Sequence, residues 1–264
     1  MEQLRHLQLI ILDIAKDIDL LCEKNRIKYY LLGGSTIGAI RHKGFIPWDD
    51  DLDIIMDHEN YNKFVKVCRE QLDHDKYCFQ EGIKDWPLPF SKIRLRGTVV
   101  DEFEGYQVKN GEFGIWIDVF KFDNVSNNRF VALWQYFCAK LFLCYTLSER
   151  TYKSATSKKK MMIFLSKILS INYLKRFCLY QVERLNNRNT DYVGFFYGRT
   201  KLKNAILKKC IYGNPVRVPF EDTFLPVQER VKEYLTITFG DYMKLPPEKE
   251  RVGLHARKVD FGEY

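Results

Sequence analysis

Apolar and polar positions alternate with two different periods along the chain, and the change of period divides it. Leu4, Leu7, Ile11, Ile14, Ile18, Leu21 and Cys22 recur at helical spacing, predicting an amphipathic helix over 3–25. Tyr29-Tyr30-Leu31-Leu32 is a short apolar run read as a strand, stopped by Gly33-Gly34. Ser35 is placed as the N-cap of a helix running through Thr36-Ile37-Gly38-Ala39-Ile40. After the turn-like stretch 42–47, a second strand is expected from Asp51 to Met56 and a helix over 58–72. Shorter strands are expected at 89–95 and 97–101. A clear one follows from Gly114 to Phe120, where Ile115, Ile117 and Val119 alternate with Trp116, Asp118 and Phe120.

From about residue 129 the pattern turns helical. Residues 130–147 form an 18-residue apolar stretch containing Gln135 and Lys140, short of the roughly 20 apolar residues a spanning helix needs. It reads as a buried or interfacial helix, and 161–185 as a second amphipathic one, preceded by Lys158-Lys159-Lys160. The tail, with Pro215, Pro219, Pro226, Pro246 and Pro247, reads as loop-rich. The organisation expected is an α+β chain: a mixed-sheet core with flanking helices over 1–128, a basic helical region over 129–213, and a C-terminal segment, 214–264, packing back on the core.

The chemistry sits in Asp49-Asp50-Asp51-Leu52-Asp53. Strand alternation puts Asp51 and Asp53 on one side while Leu52 and Ile54 enter the core. Two carboxylates so placed repel each other unless a cation lies between them, and hard oxygen ligands favour Mg²⁺, with Mn²⁺ as the alternative. Asp49 and Asp50 fall on the preceding turn, in supporting or solvent-facing roles. Upstream, the strand–Gly33-Gly34-Ser35–helix unit offers a turn where backbone N–H groups approach a phosphate. Downstream, Asp118 stands alone on an otherwise apolar strand, costly without a partner, and would complete a metal cradle. This order of elements is the layout of a nucleotidyltransferase-like fold.

Charge changes the picture of the second half. Of the 42 Lys/Arg and 34 Asp/Glu, residues 140–217 hold 17 and three, leaving 25 against 31 elsewhere. Without a zinc-finger, helix-turn-helix or RNP-like motif, the basic region does not read as a nucleic-acid binder. Basic amphipathic helices rich in aromatics suit an anionic membrane surface. Seven scattered cysteines with no C-x-x-C pair predict reduced thiols in a cytoplasmic protein. The N-terminal stretch, acidic residues among its apolar ones, reads as a helix rather than a signal peptide.

The block GGSTIGAIRHKGFIPWDDDLDIIM (33–56) resembles the signature of the LicD family, bacterial phosphocholine transferases related to the fukutin-type enzymes. Ile117-Asp118-Val119-Phe120 is similar to the family's I-D-[IV]-F, although Lys121 stands where a proline is common. Phe239-Gly240-Asp241-Tyr242-Met243, then Pro246-Pro247 and Arg251, resembles its C-terminal ending. The resemblance implies Mg²⁺-dependent transfer of phosphocholine, or a related phospho-alcohol, from CDP-choline or another CDP-alcohol to a glycan hydroxyl. The glycan would be a teichoic acid, capsule or lipopolysaccharide, lipid-linked and met at the inner membrane face. Asp51, Asp53 and Asp118 would then hold the metal, with Asp118 a candidate proton acceptor.

Supporting contacts are expected from Arg41, His42 and Lys43, which lie between turn and aspartates, Arg41 foremost because its guanidinium suits bidentate phosphate binding. Lys92, Arg94 and Arg96 share a strand face, where three like charges need an anion or acidic neighbours opposite, which makes them candidates for phosphate contact. Trp48 either stacks on cytosine or packs its loop, and His255 reads as structural or surface rather than catalytic. Two rivals remain: a D-x-D glycosyltransferase using a nucleotide sugar, and a non-catalytic membrane-associated partner.

Overall fold

The computed structural model describes residues 2–102, 104–106, 113–152, 157–169, 171–198, 202–253 and 256–264. Helix α1 (Glu2–Lys24) leads to β1 (Tyr30–Leu31), α2 (Gly33–Ile37) and a π-helical turn over Gly38–His42. Then come β2 (Asp53–Asp57), α3 (His58–Gln71), β3 (Tyr77–Gln80), β4 (Ser91–Leu95), β5 (Val99–Glu102), β6 (Glu104–Tyr106) and β7 (Trp116–Val125). The second half holds α4 (Arg129–Tyr145), β8 (Arg150–Tyr152), α5 (Ser157–Leu169), α6 (Asn172–Glu183), β9 (Tyr192–Gly194), α7 (Leu202–Ala205) and β10 (Ile206–Lys208). Last are β11 (Val216–Phe220), β12 (Thr223–Val227), α8 (Val231–Phe239) and β13 (Ala256–Asp260).

The mixed α/β architecture expected from the two periods is present. A seven-stranded mixed sheet runs β1-β2-β7-β4-β3, with β9 joining the far half of β7 and β10 joining β9. Only the β2–β7 pair is parallel among these described ladders. Alternation gives the sheet two unlike faces. Ile54, Met56, Ile93, Ile117 and Val119 point to the face sealed by α1 and α3, against Ile11, Ile14, Ile18 and Phe64. Asp53 and Ile55, Lys92 and Arg94, and Asp118, Phe120 and Phe122 occupy the opposite face by the period of two. That face is covered by Tyr212, Tyr234 and Leu235 from the C-terminal third.

Several elements depart from the sequence expectation. Ser35 does not cap α2; the helix begins at Gly33, with extended Leu32 at its N-cap. The predicted helix over 161–185 is two helices, interrupted where Ile171 is extended (φ −90°, ψ 124°). The proline-rich tail is only partly loop: it holds a hairpin, a helix and a strand, while Pro215, Pro246 and Pro247 lie in irregular chain. Pro219 and Pro226 fit because β11 and β12 form a two-stranded ribbon with no interior ladder for a proline to break. No described cysteine is bridged. No described helix is long and apolar enough to cross a membrane.

Helices α4 and α6 pack together but leave an aromatic face outside. Phe130, Trp134 and Phe137 on α4 and Tyr173, Phe177 and Tyr180 on α6 are exposed, up to 81% for Phe130. Both sets follow the i, i+4, i+7 spacing of one helical stripe. Trp134 Nε1 donates to Gln181 Oε1 at 3.2 Å, joining the two stripes. Arg176 and Arg184 lie exposed along the α6 stripe. The single acidic residue of α4 and α6, Glu183, is ion-paired with Lys121 of the sheet.

The β11–β12 turn anchors the loop that enters the site. Glu221 has a left-handed backbone (φ 53°) and accepts hydrogen bonds from Arg5 (3.0 and 2.6 Å) and from the Phe45 N–H (3.1 Å). Gly44 is required here, since a Cβ would meet Glu221 Oε1 at 2.3 Å. The Arg5 hydrogen bonds, opposed by partial burial and aided by the Phe45 N–H, hold the Glu221 carboxyl below its ordinary 4.5. A lowered folded-state pKa gives stability that is present above 4.5 and lost as pH falls through the folded value. Glu221→Gln is therefore expected to cost about 1 kcal/mol in urea unfolding at pH 7, with the difference shrinking as pH falls below 4.5.

Candidate functional site

The parallel register of β2 on β7 pairs Asp53 with Asp118, and the antiparallel register of β4 on β7 pairs Lys92 with Asp118. Three adjacent strands thus place Asp53, Asp118 and Lys92 in one row across the sheet. Lys92 Nζ lies 2.9 Å from Asp118 Oδ1, and Trp116 Nε1 donates to Asp118 Oδ2 at 3.1 Å. The Lys92 contact is an ion pair without hydrogen-bond alignment, so Asp118 Oδ1 is buried with no hydrogen-bond donor. The lone acidic residue on an apolar strand has its cationic partner, and retains an unsatisfied oxygen.

Asp53 is the most perturbed group of the row. Burial, then the negative charges of Asp51, Asp118 and Asp49, push its pKa well above the ordinary carboxylate range, with Lys92 opposing. Leu52 and Ile54 are buried as alternation requires. The turn before them is braced from distant parts of the chain. Gln8, buried on α1, donates from Nε2 to the carbonyls of Ile46 (3.2 Å) and Asp49 (2.9 Å). Asp50 Oδ2 accepts the Ala256 N–H at 2.8 Å, so Asp50 is a buried tether to β13 rather than a solvent-facing residue. Asp49, Asp50 and Asp51 each bring a carboxylate oxygen within 4.8 Å of the others. Gln8 was not legible, since a lone polar residue in a helical stripe gives no signal of what it holds.

The glycine turn lies against this cluster. Gly33 takes φ +59°, and a Cβ on Gly34 would meet Asp49 Oδ2 at 2.8 Å. The Gly33 N–H donates to Tyr234 Oη at 3.3 Å, and Ser35 Oγ accepts the Asp53 N–H at 2.9 Å. Arg41 donates to the Tyr242 and Lys244 carbonyls (2.7 and 3.4 Å) and, through Nε, to His42 Nε2 at 2.9 Å. These bonds tie the Arg41 guanidinium to the segment after α8. Burial and then Arg41 lower the His42 pKa. Lys43 is exposed with φ 57° at the end of the π turn. Trp48 meets His42 edge-on at 6.3 Å, with the Arg251 guanidinium 5.5 Å from its ring, a packing environment. Arg94 donates to Gln80 Oε1 (2.8 Å) and the Gly114 carbonyl (3.0 Å), and Arg96 to the His74 carbonyl (2.9 Å). Lys92 and Arg94 are both buried, and Lys92 faces Trp116 at 4.2 Å. His255 lies outside the described residues.

Beside the row, a cavity of ≈ 360 Å³ runs along β7 toward α8. Asp53 and Gly33 line it, followed by Phe120, Phe195, Tyr212, Tyr234 and Phe239. These aromatics come from four separate segments, and no local pattern announced them. On the opposite sheet face, His58, Asp123 and Glu183 form another group of donors, with Lys121 ion-paired to Glu183 among them.

Comparison with known proteins follows the same residues. The profile of the LicD/FKTN/FKRP nucleotidyltransferase domain matches residues 26–168. The chain is 30% identical over 273 residues to a lipopolysaccharide cholinephosphotransferase, LicD, of Haemophilus influenzae, covering 97% of each. It is 44% identical over 140 residues to an uncharacterised protein of Rickettsia typhi, covering 46% of this chain and 45% of that protein.

Lys92→Met would leave Asp118 buried without its cation. The expected loss is about 3 kcal/mol in urea unfolding, with much of it recovered when Asp118→Asn is added, because the orphaned charge carries the cost.

Proposed function

Because the chain belongs to the LicD family, we propose that it transfers phosphocholine, or a related phospho-alcohol, from a CDP-alcohol to a glycan hydroxyl, releasing CMP. The observation that carries this reading is the row of Asp53 and Asp118 on adjacent parallel strands, with Asp51 close enough to perturb Asp53. The relative covering nearly the whole chain is a lipopolysaccharide cholinephosphotransferase, which supports a surface glycan as acceptor. The sheet core is read as nucleotidyltransferase-like on the family profile and the element order.

Asp51, Asp53 and Asp118 fit a hard divalent cation: all donors are carboxylate oxygens, Asp53 is crowded by like charge, and Asp118 Oδ1 is buried without a donor. Mg²⁺, or Mn²⁺, bound there would neutralise diphosphate oxygens and stabilise the departing CMP. Lys92 and Trp116 fix the Asp118 carboxylate in place while the backbone register sets its spacing from Asp53. Asp118 is also the candidate to accept the proton of the attacking hydroxyl. CMP release from CDP-choline with Mg²⁺ is the measurement. Asp51→Asn, Asp53→Asn and Asp118→Asn are each expected to lower kcat/KM at least roughly a hundredfold, and chelation should abolish turnover. Full turnover by Asp118→Asn would remove it from both roles. UDP release from UDP-sugars with no CMP from any CDP-alcohol would replace the reading with a glycosyltransferase.

The acceptor is inferred to be lipid-linked and met at the inner face of the cytoplasmic membrane. The exposed aromatic stripes of α4 and α6, with Arg176 and Arg184 alongside and Glu183 turned to Lys121, support contact with an anionic bilayer. In flotation with phosphatidylglycerol-containing vesicles, the protein is expected to rise with lipid at low salt and less at high salt. Phe130→Glu with Phe137→Glu should leave it in the soluble fraction. Binding by the double variant equal to that of the wild type would dismiss this face.

A further inference from the structure

We propose that His58, Asp123 and Glu183 form a metal centre separate from the aspartate row, one that takes Zn²⁺ or a similar transition-metal dication and pins α3, β7 and α6 together. The three residues stand at element ends: His58 opens α3, Asp123 lies near the end of β7, and Glu183 closes α6. Each brings a donor atom within 4.8 Å of the other two. Small side-chain turns would gather all three around one ion at roughly 2.1 Å. Asp123 is five residues beyond Asp118 on β7 and projects to the other side of the sheet, away from the aspartate row.

Unmet polar atoms converge on this spot. Asp123 is fully buried, and its Oδ2 has no hydrogen-bond partner. His58 Nδ1, 3.9 Å from Asp123 Oδ1, is buried without a partner as well. Tyr197 Oη is a third such atom. It lies close enough to Asp123 and Glu183 for their negative charges, after burial, to raise its pKa. Half of the six unpartnered buried side-chain atoms among the described residues therefore belong to one cluster. Leaving three such groups unsatisfied is costly, and one ion carrying a water would satisfy all of them.

The surroundings prepare the donors. Asn186 Nδ2 donates to Asp123 Oδ1 at 2.7 Å, leaving Oδ2 for the ion. The Asn62 amide lies 2.9 Å from His58 Nε2. With its oxygen turned to the ring it accepts the Nε2 proton, and the Nδ1 lone pair is left for a metal. Burial and then Lys121 lower the His58 pKa, so the imidazole is neutral. Lys121 pairs with Glu183 Oε1 and leaves Oε2 as a donor. Its single positive charge is outnumbered by Asp57, Asp123 and Glu183, the carboxylates that act on His58. A cavity of ≈ 460 Å³ gives an ion access to His58 and Glu183. Arg176 and Arg184 also line it, but both are exposed and their charges are screened by solvent. An imidazole with two carboxylates favours Zn²⁺ over Mg²⁺ or Ca²⁺, which prefer oxygen alone.

The whole chain, stripped with chelator, is titrated with Zn²⁺ by calorimetry in excess Mg²⁺, which competes for all-oxygen sites, and thermal melts are recorded alongside. Wild type is expected to bind one Zn²⁺ and to melt roughly 5 °C higher when Zn²⁺ stands a hundredfold above Kd. His58→Gln, at a partly exposed helix start, and Glu183→Gln should each weaken binding about tenfold or more and abolish the rise. Cooperative melting of the metal-free variants checks that they fold. Asp53→Asn should bind Zn²⁺ as wild type does. Zn²⁺ binding lost in Asp53→Asn but kept in His58→Gln would assign the ion to the aspartate row and overturn the proposal. Failure of wild type to bind Zn²⁺ would overturn it outright, whatever the variants do.

Discussion

Everything at the site depends on the register of two parallel strands. Side chains opposite each other on adjacent strands sit roughly 5 Å apart, so pairing Asp53 with Asp118 forces two carboxylates together at a partly dry sheet face. Hydrophobic burial on the other face fixes that register. Ile54, Ile117 and Val119 lie under α1 and α3, and a one-residue slip would drive the aspartates into that core. The repulsion is thus imposed by the same packing that stabilises the sheet. Lys92, brought in by the third strand, offsets part of it and leaves the Asp118 oxygen without a hydrogen-bond donor.

The sequence made the core of this arrangement legible, for reasons that are local. Alternation over Asp51 to Met56 and over Gly114 to Phe120 identifies both strands, and an acidic residue among apolar ones marks each of them. Lys92 was legible only as a charge needing an opposite one; the sequence reading offered a phosphate or an acidic neighbour, and in the fold Asp118 stands opposite it. The family resemblance carried by 33–56, 117–120 and 239–251 agrees with the profile match over 26–168 and the relative aligned along nearly the whole chain.

What escaped was non-local. Ser35 follows the usual cap residues in type, yet the left-handed Gly33 lets the helix start three residues earlier, freeing the Ser35 hydroxyl to accept from the Asp53 backbone. Pro219 and Pro226 suggested loops because proline disrupts the interior of a sheet, and a two-stranded ribbon has only edges. The cavity rings at 120, 195, 212, 234 and 239 share a wall only after β7, β9 and α8 have come together. No period connects residues so far apart.

The aspartate turn is clasped from one side by Gln8 and from the other by Ala256 through Asp50. These contacts span 41 and 206 residues of sequence, so the turn takes its shape only after both distant segments have docked. Long-range closures of this kind are late events in folding. A half-assembled chain can hold the sheet strands, and with them Asp53 and Asp118, before the turn carrying Asp49, Asp50 and Asp51 has taken its shape. The three carboxylates of the turn, drawn from Asp49, Asp50 and Asp51, are therefore brought together last.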